Sequence, residues 1–381
     1  MKKFLIKSTY FFIPILLYVV ATQYLLYRIK EHLPIVTIID KQQKSEEETY
    51  YNRILYGNAM NMYKYNTMLV KKPEVLVLGQ SIVLCFRDFF FKPFNAAFYN
   101  TGLMIRNISD LENISNQLLD GTLTKPRYIV FGLDHSFVLE HAGLDNMSFN
   151  PSIWDDPYFD SKKQLRAMQQ VALKSDIREV PAVDIGYGKR GMVGNGYRKD
   201  GSCNNKWEID LFTNDSVHVE GVLIEEFNAH SKGYPMPMNY DKDKANRVVN
   251  ALKKLKNNNI EVLIYIPPLS DEFYNKASQH SHFTDFWNQY IAFQNQLISK
   301  GFNVIPFATP SKFGLNDYSM LSSDHPGEIF VARQFVEFYK NKPTKEPISS
   351  QFDLQGLELL LNQAKHPLSF QLENKSIRTT K

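Results

Sequence analysis

From Glu74 onward, short apolar runs alternate with longer amphipathic stretches, the pattern of strand–helix units feeding a mostly parallel sheet. EVLVLG (74–79) reads as the first strand, AAFYNTG (96–102) as a shorter second and RYIVFGL (127–133) as the third. EVLIYIPP (261–268) is the fourth, ended by two prolines, and FNVIPF (302–307) is the fifth. An amphipathic helix around 107–119 precedes the third strand. DKDKANRVVNALKKLKNNNI starts with Asp241 as a cap and places Ala245, Val248, Val249, Leu252 and Leu255 on one helical face. A helix near 283–300 leads into the fifth strand. The last helix follows SSDHPGE, with Pro326 in its first turn and Ala332, Phe335, Val336 and Tyr339 available for burial. The run of VLVLG into a Gly-Gln-Ser turn also suggests that Ser81 opens a helix.

The predicted fold is therefore an α/β domain over residues 72–341, a three-layer α/β/α sandwich around a mostly parallel five-stranded sheet. Residues 140–240 break the rhythm. They are too long for a simple loop, which predicts an insertion packed over one end of the sheet. Residues 342–381 read as a polar tail, except for a peripheral helix at LQGLELLL (354–361).

The N-terminus carries a different pattern. Lys2, Lys3 and Lys7 precede residues 8–27, twenty residues without a charge, and Arg28 and Lys30 follow. That length spans a bilayer. The lysines favour an N-inside orientation, which predicts a chain on the cytoplasmic membrane with its remaining domain outside. A cleaved signal peptide, with Val19 and Ala21 at the cleavage site, is the competing reading. The apolar run through Tyr24, Leu25, Leu26 and Tyr27 favours an uncleaved single-pass anchor over residues 1–30. Residues 31–71 then read as a membrane-proximal linker or exposed helix.

Composition narrows the function classes. In a chain of 381 residues, 44% hydrophobic and 13% aromatic content is enough for a sizeable core and excludes a disordered chain. The 44 basic and 40 acidic residues are spread along the sequence, without the basic stripe that phosphate backbones demand, so nucleic acid is not an expected partner. Of the two cysteines, Cys85 reads as a small buried residue, and a disulfide to Cys203 is permitted but not required.

In an open parallel sheet, ligands bind beyond the carboxyl ends of the strands. Gly79-Gln80-Ser81, Asn100-Thr101-Gly102, Gly132-Leu133-Asp134 and Ser323-Asp324-His325-Pro326 should converge there. The residue types are those of an activated hydroxyl: Ser81 as nucleophile, His325 as base, Asp324 as the carboxylate that orients the imidazole. The backbone N–H groups of Ser81 and Gly102 would face a developing oxyanion. Against this stand bland readings: Ser81 and Asp324 as helix caps, and His325 and His135 as structural histidines. His280 and His282 lack a third ligand, so no metal is expected. Trp154, Tyr158 and Phe159 read as core.

In these blocks the sequence resembles the SGNH (GDSL-like) hydrolase superfamily, and within it the membrane-anchored branch that includes alginate O-acetyltransferase proteins and the D-alanyl transfer protein of teichoic acid synthesis. VLVLGQS is similar to the nucleophile block, FYNTGLM to the glycine block, IVFGLDHSF to the third block and SSDHPGE to the histidine block. GYRKDGS (196–202) is similar to a motif of members near polysaccharide loci; Arg198 and Asp200 within it could grip a sugar or phosphate, or form an ordinary surface turn.

The resemblance implies a flavodoxin-like strand order and acyl transfer, most simply of acetyl, or ester cleavage on a cell-surface polysaccharide. It also implies a membrane-bound acyltransferase as partner and no metal or organic cofactor. Two positions depart from it. Ser322 stands where the superfamily has its aspartate, and Asp134 stands where it has an oxyanion-donating asparagine. A degenerate glycan-binding or scaffold subunit of an envelope synthesis complex is the alternative.

Overall fold

A computed structural model of the chain describes residues 2–56, 59–140, 153–206, 209–210, 227–228, 234–235, 237–341 and 347–371. The chain divides into two compact units. One comprises residues 1–66, 150–199 and 203–206; the other comprises 67–149, 200–202 and 207–381. Residues 31–66, expected as a linker, and residues 150–199, expected as an insertion over the sheet, are thus parts of one folded unit. Much of the remaining 140–240 stretch lies outside the described residues.

In the first unit, the N-terminal helix Lys2–Arg28 is long and apolar enough to cross a membrane. Four two-residue strands form a small ladder in the order Gly186–Tyr187, Tyr50–Tyr51, Gly196–Tyr197, Cys203–Asn204, the first pairing parallel and the other two antiparallel. Such short strands carry no alternation legible in sequence. Two residues beyond Tyr51 stands a buried pair, Arg53 Nη2 to Asp156 Oδ1 at 2.9 Å, in which the other carboxylate oxygen accepts from the Ile35 N–H at 2.6 Å. Glu31, fully buried, accepts the backbone N–H groups of Ile54, Leu55 and Lys189.

The second unit is the predicted α/β sandwich. Its five strands, β1 (Val75–Leu78), β2 (Phe98–Asn100), β3 (Tyr128–Gly132), β4 (Glu261–Tyr265) and β5 (Asn303–Ile305), are all parallel and run β2-β1-β3-β4-β5 across the sheet. All four residues of β1 and all five of β3 are buried, because helices cover both faces. One face, with Val75, Val77, Val130, Leu263 and Tyr265, packs on Phe335 and Val336 of helix Glu328–Asn341. Helices Ile108–Leu119, Lys242–Asn257 and Ser281–Ser299 flank the sheet as well, and Asp241 caps the second of them as expected.

Three local expectations are corrected. Ser81 opens no α-helix; a single 3-10 turn, Ser81–Val83, follows it, and a second, Asp88–Phe91, comes after a break. Pro326 precedes the last helix, which begins at Glu328, and is bridged to Met320 instead. The segment 347–371 carries the expected helix, at Leu354–Gln363, but it packs on the domain rather than trailing as a polar tail: Phe352, Leu357 and Leu361 join the core, and the Glu328 N–H donates to the Leu368 carbonyl.

Candidate active site

The strand order reverses at β1, and the chain leaving β1 passes directly through Gly79 and Gln80 into Ser81. Asn100 fixes this turn from the neighbouring strand end. Its Nδ2 donates to the carbonyls of Val83 at 2.7 Å and Phe86 at 3.0 Å. Gln80 is fixed in the same way, its Nε2 donating to Ser136 Oγ at 2.6 Å and to the Arg106 carbonyl at 3.1 Å. The serine is thereby held by residues from three strand ends.

Ser81 Oγ lies 2.6 Å from His325 Nε2. On the other side of the ring, His325 Nδ1 is 2.6 Å from Asp324 Oδ1 and 3.0 Å from Ser322 Oγ. Ser322 Oγ also lies 2.8 Å from Asp324 Oδ1, to which it donates. Asp324 therefore turns back onto the histidine that follows it, and Ser322 steadies that carboxylate. Burial pushes the Asp324 carboxyl up, but the His325 charge and the hydrogen bonds from His325 and Ser322 outweigh it and bring the pKa down to about 2. The carboxylate is thus ionised wherever the imidazole could serve as a base.

This geometry bears on the bland readings. Ser81 caps no helix through its side chain, and the Asp324 carboxylate is occupied by His325 and Ser322. His135 is a packed residue, its ring stacked on Tyr234 at 5.1 Å, edge-on to Phe286 and tilted against Trp287.

Other expectations fail. The Gly102 N–H, expected to face an oxyanion, donates to Asn100 Oδ1 at 2.8 Å. The glycine there answers to packing: a Cβ would stand 2.8 Å from Leu84 Cδ2. Asp134 accepts from the Ser136 N–H at 2.9 Å and caps the turn His135–Val138, so it offers no donor. Among the described residues the Ser81 N–H donates to no protein group, which leaves it as the available oxyanion donor of the two expected.

Arg198 and Asp200 are structural rather than substrate-gripping. Arg198 is buried in the first unit, its Nη1 on the Cys203 carbonyl at 2.7 Å, Nη2 on Asn204 Oδ1 at 3.0 Å and Nε 3.1 Å from Glu48. Asp200, in the second unit, accepts from Arg87 Nε at 3.3 Å, the Asp88 N–H at 3.2 Å, and the N–H and hydroxyl of Ser202 at 2.9 and 2.6 Å. Gly201 beside it, at φ +84°, sits where a Cβ would come within 2.2 Å of the Asn100 carbonyl oxygen. That close approach explains the Asp-Gly-Ser sequence without a ligand.

Arg87 also donates to Glu328 Oε1 at 3.0 Å, so one guanidinium joins two carboxylates. Sequence reasoning passed over Arg87 and Glu328, and placed Asn100 in a site segment without giving its side chain a role. The signal for Asn100 was a side-chain amide at a strand end, directly before the Thr-Gly turn.

His280 stands just before helix Ser281–Ser299 and His282 within it, and no group of three metal-ligating side chains occurs among the described residues. Both cysteines are free, and Cys85 is buried as expected. The aromatic segment differs from expectation: Trp154 and Phe159 are exposed.

The fold and site together define an α/β protein with a serine–histidine–aspartate hydrogen-bond chain at the carboxyl edge of its sheet. No protein-family model matches the chain, and no curated protein does.

Proposed function

We propose that the second unit is a serine-dependent acyl transferase or esterase. The observation that carries the reading is the continuous chain from Ser81 Oγ through both nitrogens of His325 to Asp324, with 2.6 Å at each step. In the reaction, His325 Nε2 takes the Ser81 proton as Oγ attacks an ester carbonyl, and Asp324 holds the Nδ1–H and the charge that forms on the ring. The Ser81 N–H faces the oxyanion. Collapse of the tetrahedral intermediate expels the alcohol, which takes its proton from His325 and leaves an acyl-serine. A second hydroxyl, or water, then attacks that ester with His325 again as base.

A glycan hydroxyl of a cell-surface polysaccharide as acceptor, acetyl as the acyl group, and a membrane-bound acyltransferase as donor partner rest on the resemblance of the four blocks to the SGNH superfamily. Lys2, Lys3 and Lys7 support an extracytoplasmic placement of the unit, with the N-terminal helix as single-pass anchor in the cytoplasmic membrane. One observation favours a scaffold instead: the engaged Gly102 N–H and the acceptor Asp134 thin out the oxyanion site.

An activated acetyl ester separates the two readings. Purified full-length protein should release the leaving alcohol and carry a 42-dalton adduct on the Ser81 peptide, about the mass of an acetyl replacing a proton. Ser81→Ala should lower turnover by about 10³-fold or more with an unchanged melting temperature. Turnover by Ser81→Ala at the parental rate would exclude the serine mechanism.

A further inference from the structure

We propose that the first unit rests on the membrane through a second, interfacial element, helix Ser161–Leu173 with the aromatic pair Trp154 and Phe159, whose ligand is the phospholipid headgroup layer. The inference rests on reading the N-terminal helix as membrane-spanning and fixes where that span ends.

The N-terminal helix has two parts. No described side chain between Phe4 and Ala21 is buried, whereas Thr22, Leu26 and Ile29 are. Leu26 and Ile29 share a core cluster with Ala167, Met168 and Val171 of helix Ser161–Leu173, and the Tyr18 hydroxyl donates to the Met168 carbonyl at 3.1 Å. If the uncharged window 8–27 were the span, this packed part would draw helix Ser161–Leu173 into hydrocarbon with Lys162, Lys163 and Arg166. Charges at that depth are costly.

About twenty residues cross the bilayer core. A span starting at Lys2 and Lys3 therefore ends between Tyr18, whose hydroxyl is the first group to bond helix Ser161–Leu173, and Thr22, the first buried side chain, with Lys7 reaching back to the inner surface along its apolar stem. Helix Ser161–Leu173 then lies at the outer interface.

Its own chemistry suits that level. Ala167, Met168 and Val171 form the buried face, and Leu165 and Leu173, 66% and 74% exposed, lie on the open side. The helix carries Lys162, Lys163 and Arg166 and no acidic residue, and Lys174 follows it. The neighbouring Asp160 carboxylate is turned onto the Lys162 and Lys163 N–H groups as a cap. Trp154, 70% exposed, stands edge-on to Phe159 at 5.1 Å. Exposed leucines with an aromatic pair for the acyl boundary, and lysine and arginine for phosphate, are the composition of an interfacial helix.

The test uses the full chain in lipid discs of phosphatidylcholine and phosphatidylglycerol, with bromine at acyl positions 6 and 7 as a quencher of tryptophan at the interface. The fluorescence lost in Trp154→Phe reports Trp154 alone. That component should be quenched about twofold or more by the brominated lipid and be shielded from iodide in the water. A chain that enters the discs but shows Trp154 open to iodide and untouched by bromine overturns the lipid face and leaves it to a protein neighbour. A chain that does not enter the discs overturns the inference together with the membrane-span reading.

Discussion

Two polar clusters of the second unit use similar residues to opposite ends. At Ser322, Asp324, His325 and Ser81 the groups are half-buried, Ser322 and Asp324 both meet one nitrogen of the ring, and the network ends on a hydroxyl bonded to the other ring nitrogen, which can accept its proton. At Arg87, Asp200 and Glu328 the groups are buried, and the carboxylates also take backbone N–H groups and the hydroxyls of Ser202 and Ser369. That second cluster is closed: its described bonds run to other protein groups. Residue type does not separate chemistry from architecture here; the accessibility of the last atom in the network does.

The contrast can be broken in several ways, taken from the largest expected effect to the smallest. Asp324→Asn leaves the imidazole without the carboxylate that fixes its tautomer, so turnover of an activated ester should fall by about 10³- to 10⁴-fold, far out of proportion to the modest drop in melting temperature that losing the ionised carboxylate brings. Equal losses of rate and stability would place Asp324 with the structural cluster.

Arg87→Leu should do the reverse. It strands two buried carboxylates and should cost about 3–5 kcal/mol in chemical denaturation, with the rate per folded molecule unchanged. Asp88 would feel the change too, since burial first and the Asp200 charge second already raise its pKa.

Ser322→Ala removes one hydrogen bond to Asp324. It should lower turnover about three- to tenfold, corresponding to about 1 kcal/mol, and stability hardly at all.

Acid titration gives the smallest effect and sharpens the assignment of Asp324. Its folded pKa of about 2 lies below the ordinary 3.8, so its stabilising contribution is complete above about pH 4 and is lost as the pH falls through about 2. The melting-temperature difference between the parent and Asp324→Asn should shrink over that window. A constant difference would mean that the ionised carboxylate contributes nothing.

Much of the second unit was legible because its strands are short, apolar and buried on both faces, and because apolar residues recur at helical spacing in stretches such as 241–257. The same legibility extended to Ser81 and His325, which stand where parallel sheets place ligands. It failed at Gly102, where the decisive partner is an amide two residues earlier that the chain turns back upon. It failed again at Arg198 and Asp200, whose motif looked like a surface loop because nothing in seven residues reveals burial. The first unit was hardly legible: two-residue strands have no period, and their partners lie far apart in the chain, as Tyr51 and Tyr197 do.

The sequence alone determined the alternation of strands and helices, the apolar N-terminal helix and the order of the four site segments, since these follow from local periodicity and from the short reach of the backbone. Tertiary structure decided which donors remain free, which charges are enclosed, and that Asp324 folds back onto its own neighbour His325. Those depend on burial and on partners brought together from distant segments, and both arise only when the chain has closed around them.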